Sequence, residues 1–307
     1  MTDTPLVAPA TAAQRRPWIG WAMALISTAS FSLAPTVGKA AIDSGMNPTT
    51  LLALRLVITT GLLGVTIAVT DPKRFNIDRT GLLACSAAGL ANGVGMLAFF
   101  WSLTRIDASV ASMLFSLTPL VVLALLALRG EKFTYRNTMR VALGLAGVSL
   151  LIGPGGQVDG LGILLALVPV FTVPIQLIVM QWYVQDHDSS AVTLYMVATM
   201  AVVAAGWWLV QGMEWHNPGR SGWLAVGVLV LVSTYLARMT MFVAVRDIGG
   251  GQVGLLAPVE TLLTVIWSFL LLNERLTALQ ALGGGLILLS ALLAVRRMLR
   301  VRWRKET

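Results

Sequence analysis

Between Trp18 and Val295 the sequence is a succession of apolar runs, parted by short charged or Gly/Pro-rich connections. About 20 helical residues cross the hydrocarbon core of a bilayer, and a helix there satisfies its own backbone hydrogen bonds. The runs fall at about 18–42, 49–69, 80–103, 108–128, 138–152, 161–183, 190–210, 223–245, 250–272 and 277–295. Ten such crossings leave no room for a soluble domain. Only 12% of the residues are charged, 56% are hydrophobic and the mean hydropathy is +0.79. A soluble domain carries about a quarter charged residues, so lipid is the expected solvent. The expected fold class is an all-α integral membrane protein.

The runs repeat. Residues 107–152 read as an apolar span with a proline in its first half, a charged turn at 129–136 and a glycine-containing span. Residues 248–295 follow the same plan, with Pro258 in the first span and Asn273 to Arg275 at the turn. Pro119 and Pro258 are 139 apart, as are Pro35 and Pro174, and Gly144 and Gly283. With 12 Pro in 307 residues, that register yields about a quarter of one Pro–Pro match by chance; two occur. The expected division is a tail at 1–17, a first five-helix repeat at 18–152, a linker at 153–160, a second five-helix repeat at 161–295 and a basic tail at 296–307. Five is odd, so the two copies are expected to insert with opposite topology, the inverted repeat that secondary transporters use for alternating access. Pro35, Pro119, Pro174 and Pro258 each remove a helix hydrogen bond and are the expected hinges.

Charge distribution gives the orientation. With the N-terminus in the cytoplasm, sixteen of the Lys and Arg residues fall on the cytoplasmic side, three (Arg105, Arg220, Arg275) on the other and three (Lys39, Arg55, Arg238) within spans. The net charge of +8 therefore reads as the positive-inside rule, not as a nucleic-acid surface. No apolar core precedes a cleavage site in residues 1–17, so the first run is expected to be retained. The single Cys85, and His187 and His216 in loops, hold no metal-ligand spacing. No paired intramembrane aspartates, H-E-x-x-H, G-x-S-x-G or P-loop sequence is present, which argues against an enzyme or an ATP-driven pump. The match of GGGQVG to G-x-G-x-x-G opens a membrane span and lacks the βαβ context that a nucleotide site needs.

The stretch from Phe31 through Pro35 and Lys39 to Asn47-Pro48 and Arg55 carries a resemblance. So do Thr118-Pro119 with Glu131, and the run from Ala257-Pro258-Val259-Glu260 through Asn273-Glu274-Arg275-Leu276-Thr277 to Gln280 and Gly283. On these residues the chain resembles the drug/metabolite transporter superfamily, in its ten-helix EamA-type branch, and is most similar in general pattern to the YddG-type amino acid exporters. One departure is the charged turn: Glu131 follows Pro119 by 12 residues, whereas Glu274 follows Pro258 by 16. The resemblance implies a secondary transporter of aromatic and other neutral amino acids, or similar small metabolites, working outward across a bacterial inner membrane with both termini cytoplasmic. The alternatives are a multidrug or other metabolite exporter of the same superfamily and, less favoured, a channel or a non-transporting scaffold. A small-molecule substrate and the bilayer are the expected partners, with no cofactor, metal or nucleic acid. The oligomeric state is left open.

Ionisable side chains inside lipid cost about 3 kcal/mol or more each, so those present are candidates for function. Glu260 and Lys39 are candidates for coupling, against a buried ion pair for Glu260 and a lysine reaching to the membrane edge for Lys39. Arg238 stands deeper, with only Phe99 at the matching position of the first half, and is expected among the substrate-binding residues, against an equally weighted structural role. Arg55 reads more as a structural hydrogen-bond donor. Asn92, Met96, Trp101, Ser112, Gln176, Tyr183, Tyr235, Met239 and Gln252 are the expected cavity lining, with Ser116 and Met180 beside them. Amides meet a carboxylate or amino group, and aromatic and Met side chains adapt to apolar parts. For each the competing role is packing or an interhelical hydrogen bond.

Overall fold

The computed structural model describes residues 17–121, 135–152, 159–183, 188–212, 215, 217–248, 253 and 256–306, and among them no strand occurs. The helices are α1 (Pro17–Asp43), α2 (Pro48–Thr70), α3 (Arg79–Ser102), α4 (Ala108–Phe115), α5 (Tyr135–Ile152), α6 (Gly160–Tyr183), α7 (Ser189–Val210), α8 (Gly219–Val230), α9 (Ala237–Ile248), α10 (Ala257–Leu272) and α11 (Ala278–Glu306). A π-helical stretch, Leu231–Leu236, joins α8 to α9 without a break, so the pair is one continuous rod. Five of the described helices are long and apolar enough to cross a membrane: α1, α2, α3, α7 and the α8–α9 rod. Shorter apolar helices occupy Ala108–Val121, Thr138–Leu151, Gly160–Gln176, Ala257–Leu272 and Ala278–Leu293.

Local sequence sets where each helix begins. Asn47 accepts from Thr49 N–H (2.8 Å) and Thr50 N–H (3.4 Å), with Pro48 in the first turn of α2. Pro has no N–H to waste there. Asp78 accepts from Gly81 N–H at the start of α3, and Asp188 from Ser190 N–H at the start of α7. At α11, Thr277 and Gln280 each take the other's backbone N–H, at 2.9 and 3.2 Å, a reciprocal capping box. Gly45 ends α1 at φ +97°, which lets Met46 N–H reach Ala41 O and Gly45 N–H reach Ile42 O.

Two elements differ from the sequence expectation. The ninth span is expected from about residue 250 with Pro258 in its interior; among the described residues Val253 is helical, Leu256 is a turn and helix resumes at Ala257, with Pro258 in the first turn of α10. Pro cannot serve a helix interior without losing a hydrogen bond, so the helix restarts at it. The tenth does not stop at Val295: α11 continues through the basic residues to Glu306, since Arg, Lys, Leu and Met are good helix formers.

Within the bundle α3 packs on α6 and α7, α1 on α9 and α10, α2 on α7, and α5 on α11. Leu51, Leu56, Leu63, Phe100, Leu103, Leu114 and Leu229 are buried inside, whereas Val65, Leu83, Val202, Leu209, Leu224 and Leu270 face outward. An apolar exterior of this kind fits lipid. Between helices, hydroxyls supply the directional contacts: Thr264 Oγ1 donates to Ser32 O (2.9 Å), Trp267 Nε1 to Ser32 Oγ (3.1 Å) and Ser27 Oγ to Ala237 O (2.9 Å).

The α5–α11 contact depends on two glycines. A Cβ on Gly147 would stand 2.6 Å from Gly283 O, and one on Gly283 would stand 2.6 Å from Gly147 O. Only hydrogen fits at that crossing. Gly283→Val should lower the thermal stability of the detergent-purified protein by about 1–3 kcal/mol through overpacking. Gly285→Ala, where nothing lies within 4 Å, should not. Equal melting temperatures for the two variants would refute the close crossing.

Candidate functional site

The polar centre of the bundle is built around Arg55 on α2, which is only 2% exposed. Its Nε donates to Thr234 Oγ1 at 2.7 Å and its Nη2 to Ser233 O at 3.3 Å. Thr234 in turn donates to Leu229 O at 2.7 Å, five residues back. That reach comes from the π-helical register at Leu231–Leu236, which widens the turn and frees backbone acceptors. The Arg55 guanidinium also lies 5.7 Å from the centre of the Phe100 ring, a cation–π distance. Its third nitrogen, Nη1, is buried without a hydrogen-bond partner among the described residues, as is Nε of Arg238 on α9.

The other expected site residues divide. Tyr235 stands in the π-helical stretch and shares a hydrogen bond with Thr66 of α2 at 2.9 Å. Met96 and Met239 pack against the main core. Ser112 of α4 is buried, its hydroxyl unpartnered among the described residues. Ser116 shares a 2.5 Å hydrogen bond with Thr261 of α10. Asn92 and Gln176 turn to α7 instead: Asn92 Nδ2 donates to Met200 Sδ (3.5 Å) and Gln176 Nε2 to Met196 Sδ (3.1 Å). Trp101 sits on the last turn of α3, its Nε1 donating to Thr49 Oγ1 at 3.0 Å. Tyr183 and Met180 lie on α6 but their side chains, and the whole of Gln252 and Glu131, fall outside the described residues.

The coupling candidates also separate. Lys39 is bound at the end of α1, donating to Leu103 O at 2.8 Å and pairing with Asp43 at 3.2 Å. The carboxylate of Glu260, half-buried in the first turn of α10, has no ion-pair or hydrogen-bond partner among the described residues. It meets neither Arg55 nor Arg238 at salt-bridge distance.

Around the prolines the backbone is distorted in a matched way. In the fourth span α4 ends at Phe115, Leu117 N–H bonds Leu114 O at 3.0 Å, and helix resumes at Thr118-Pro119. Before α10, Leu256 N–H bonds Val253 O at 3.0 Å, and helix resumes at Ala257-Pro258. Both pairs of residues are 139 apart. Pro35 and Pro174 sit inside helices α1 and α6, which continue through them.

A carboxylate that sequence reasoning did not single out closes one end of the bundle. Glu274, just after α10, accepts from Ala108 N–H (2.9 Å) and Ser109 N–H (3.1 Å), and Ser109 Oγ also donates to it. It thereby caps α4 from 165 residues away, while Asp107, at the cap position itself, makes no such bond. The pairing brings the two carboxylates together. Burial first, and then the Glu274 charge, holds the Asp107 carboxyl above the usual carboxylate range; Asp43 adds to this and Lys39 opposes it.

The sequence model of the EamA-like transporter family matches this chain twice, over residues 18–153 and 160–296. A protein of Archaeoglobus fulgidus described as an uncharacterized transporter is 22% identical over 210 residues, covering 68% of this chain and 75% of its own. A solved crystal structure superposes with a TM-score of 0.63 over 92% of this chain and 98% of its own, at 19% identity. That likeness is one of fold.

The Glu274 contact and its neighbour make separable predictions. Glu274→Ala, which leaves two α4 N–H groups uncapped, should cost about 1 kcal/mol in thermal unfolding. Asp107 binds its proton more tightly folded than unfolded, so it weakens the fold above its folded pKa and ceases to do so as pH falls below its ordinary value. Asp107→Asn should therefore raise the melting temperature at pH 7, with the gain shrinking toward pH 4. A gain independent of pH would contradict the carboxylate pairing.

Proposed function

We propose, from the premise that this chain belongs to the EamA-like transporter family, within the drug/metabolite transporter superfamily, that it is a secondary carrier exporting amino acids. The premise makes it a multi-pass membrane transporter of small molecules. Beyond it, the proposal includes two five-helix halves of opposite topology and a bacterial inner membrane with both termini in the cytoplasm.

The matched breaks in the fourth and ninth spans carry the proposal. Leu114, Leu117 and Pro119 correspond to Val253, Leu256 and Pro258 at one constant offset, and the same short hydrogen bond recurs at the same register. A scaffold has no use for two equivalent weak points in the membrane, whereas carriers place discontinuous helices where their halves meet. The breaks do meet: Ser116 at one is hydrogen-bonded to Thr261 at the other. The double family match, divided near residue 153, supports the division into halves.

Each half would tilt about its break, opening the Arg55–Arg238 centre to one side and then the other. Tyr235, Ser112, Met96 and Met239 are the residues assigned to the lining. Asn92, Gln176 and Trp101 are assigned to helix contacts on account of their partners. Amino acids are favoured because a zwitterion of modest size needs few polar contacts and a forgiving apolar pocket, which Met side chains supply. The choice of export comes from the family resemblance alone.

Purified protein in liposomes provides the test. Saturable uptake of labelled amino acids, accelerated by unlabelled amino acid inside, is expected; unsaturable flux would indicate a pore. Pro119→Ala and Pro258→Ala should each fold, with a melting temperature near that of the parent, and slow exchange several-fold. Unchanged exchange in both variants would remove the breaks from the mechanism.

A further inference from the structure

Two cations, Arg55 and Arg238, and the Glu260 carboxylate in the first turn of α10 lie within the apolar spans, and their partners do not balance. Arg55 is bound only by neutral groups, Thr234 Oγ1 and Ser233 O. Arg238 has no hydrogen-bond or ion-pair partner among the described residues, and its Nε is buried. Glu260 pairs with neither. Arg238 follows Thr234, the residue that holds Arg55, by four positions, about one helical turn, so both guanidinium groups belong to the same wall. A buried guanidinium left with an unmatched N–H is strongly disfavoured.

The remaining donors have a defined shape. Thr234 and Ser233 use two of the three Arg55 nitrogens, and Phe100 lies against the guanidinium. The side chain is therefore held with one edge, Nη1, left over. Arg238 offers its Nε from the adjoining turn. Arg55 Nη1 and Arg238 Nε are both buried N–H donors without a partner among the described residues, and both carry positive charge, which suits the oxygens of a carboxylate, the group with which Arg forms its strongest hydrogen bonds. An ammonium group finds no complement there, and an uncharged hydroxyl can accept from one N–H but leaves the positive charge unneutralised.

Resting on the carrier function proposed above, we infer that Arg55 and Arg238 together receive the carboxylate of the transported molecule, so that the substrates are small organic carboxylates and an amino group is dispensable. Arg55 is then more than a structural donor: it is the fixed half of the receptor, anchored through the π-helical stretch. Arg238, which lacks an anchor, is the half that closes on the anion. The bound carboxylate offsets the buried positive charge, so an empty carrier is harder to reorient than a loaded one.

The experiment uses full-length protein in liposomes and two matched sets of probes: phenylalanine, 3-phenylpropanoate and phenethylamine, and alanine, propionate and ethylamine. Each is tested as a competitor and as a counterflow partner against the parent chain, Arg238→Gln, Arg238→Lys and Arg55→Lys. Phenylalanine and 3-phenylpropanoate, or alanine and propionate, should compete alike, and the amines should not compete. Arg238→Gln should fold, by elution profile and melting temperature, yet lose about ten- to a hundredfold in apparent affinity for the acids, with part regained in Arg238→Lys. Thermal stabilisation of the purified protein by the acids should be lost in the same variant. Amines carried as well as acids, or full acid affinity in Arg238→Gln, would overturn the carboxylate receptor while leaving the carrier in place. No saturable flux of any probe through the parent chain would overturn the carrier proposal, and the receptor with it.

Discussion

A charged side chain enclosed by a membrane protein must be satisfied by the protein, because lipid offers it nothing. Arg55 states this constraint most sharply. Two of its nitrogens are bound, both to the stretch Leu231–Leu236, and that stretch can serve them because it is π-helical. A regular α-turn engages its carbonyls in its own ladder; the wider turn brings Thr234 to Leu229 O and leaves Ser233 O available. The distortion of one helix is thus matched to the charge on another. Phe100 of α3 completes the setting, tying α2, α3 and the α8–α9 rod together at one residue.

The same constraint explains the helix ends. Backbone groups that a break or terminus frees are taken up by a side chain nearby or far away. Thr118 Oγ1 bonds Phe115 O at 2.6 Å, the carbonyl that Pro119 cannot serve. Glu274 caps α4 from 165 residues away. Several residues that carry the family resemblance serve such ends: Asn47 with Pro48 starts α2, Asn273 ends α10 in the left-handed conformation at φ 56°, and Thr277 with Gln280 starts α11. Their chemistry is that of helix termini in lipid.

Membrane character and the helical class were legible because apolar runs of the required length leave few alternatives. The side-chain directions were not. Helices surrounded by lipid and protein are apolar on every face, so periodicity does not say which face looks inward. Asn92 and Gln176 illustrate the difficulty: amides inside spans suggest a cavity, but theirs meet the sulfurs of Met200 and Met196 on α7. Arg55 was legible as a donor to carbonyls, yet its unmatched third nitrogen follows from which hydroxyl lies where. Glu274 was visible within a charged turn; its contact with α4 depends on the folded arrangement. A signal did exist for the π-helical stretch, since Ser233-Thr234-Tyr235 and Arg238 interrupt an otherwise apolar run.

Alternating access is the central claim, and closure at the Glu274 end is the part of it that a bond can arrest. Ser109 and Glu274 are in contact there, so Ser109→Cys with Glu274→Cys, in a Cys85→Ala background, places two thiols across the closed end. The measurement is amino acid counterflow in liposomes before oxidation, after the disulfide forms and after its reduction. A carrier predicts flux in the reduced protein, none once the bond has formed and recovery on reduction. Undiminished flux through fully cross-linked protein would contradict the account.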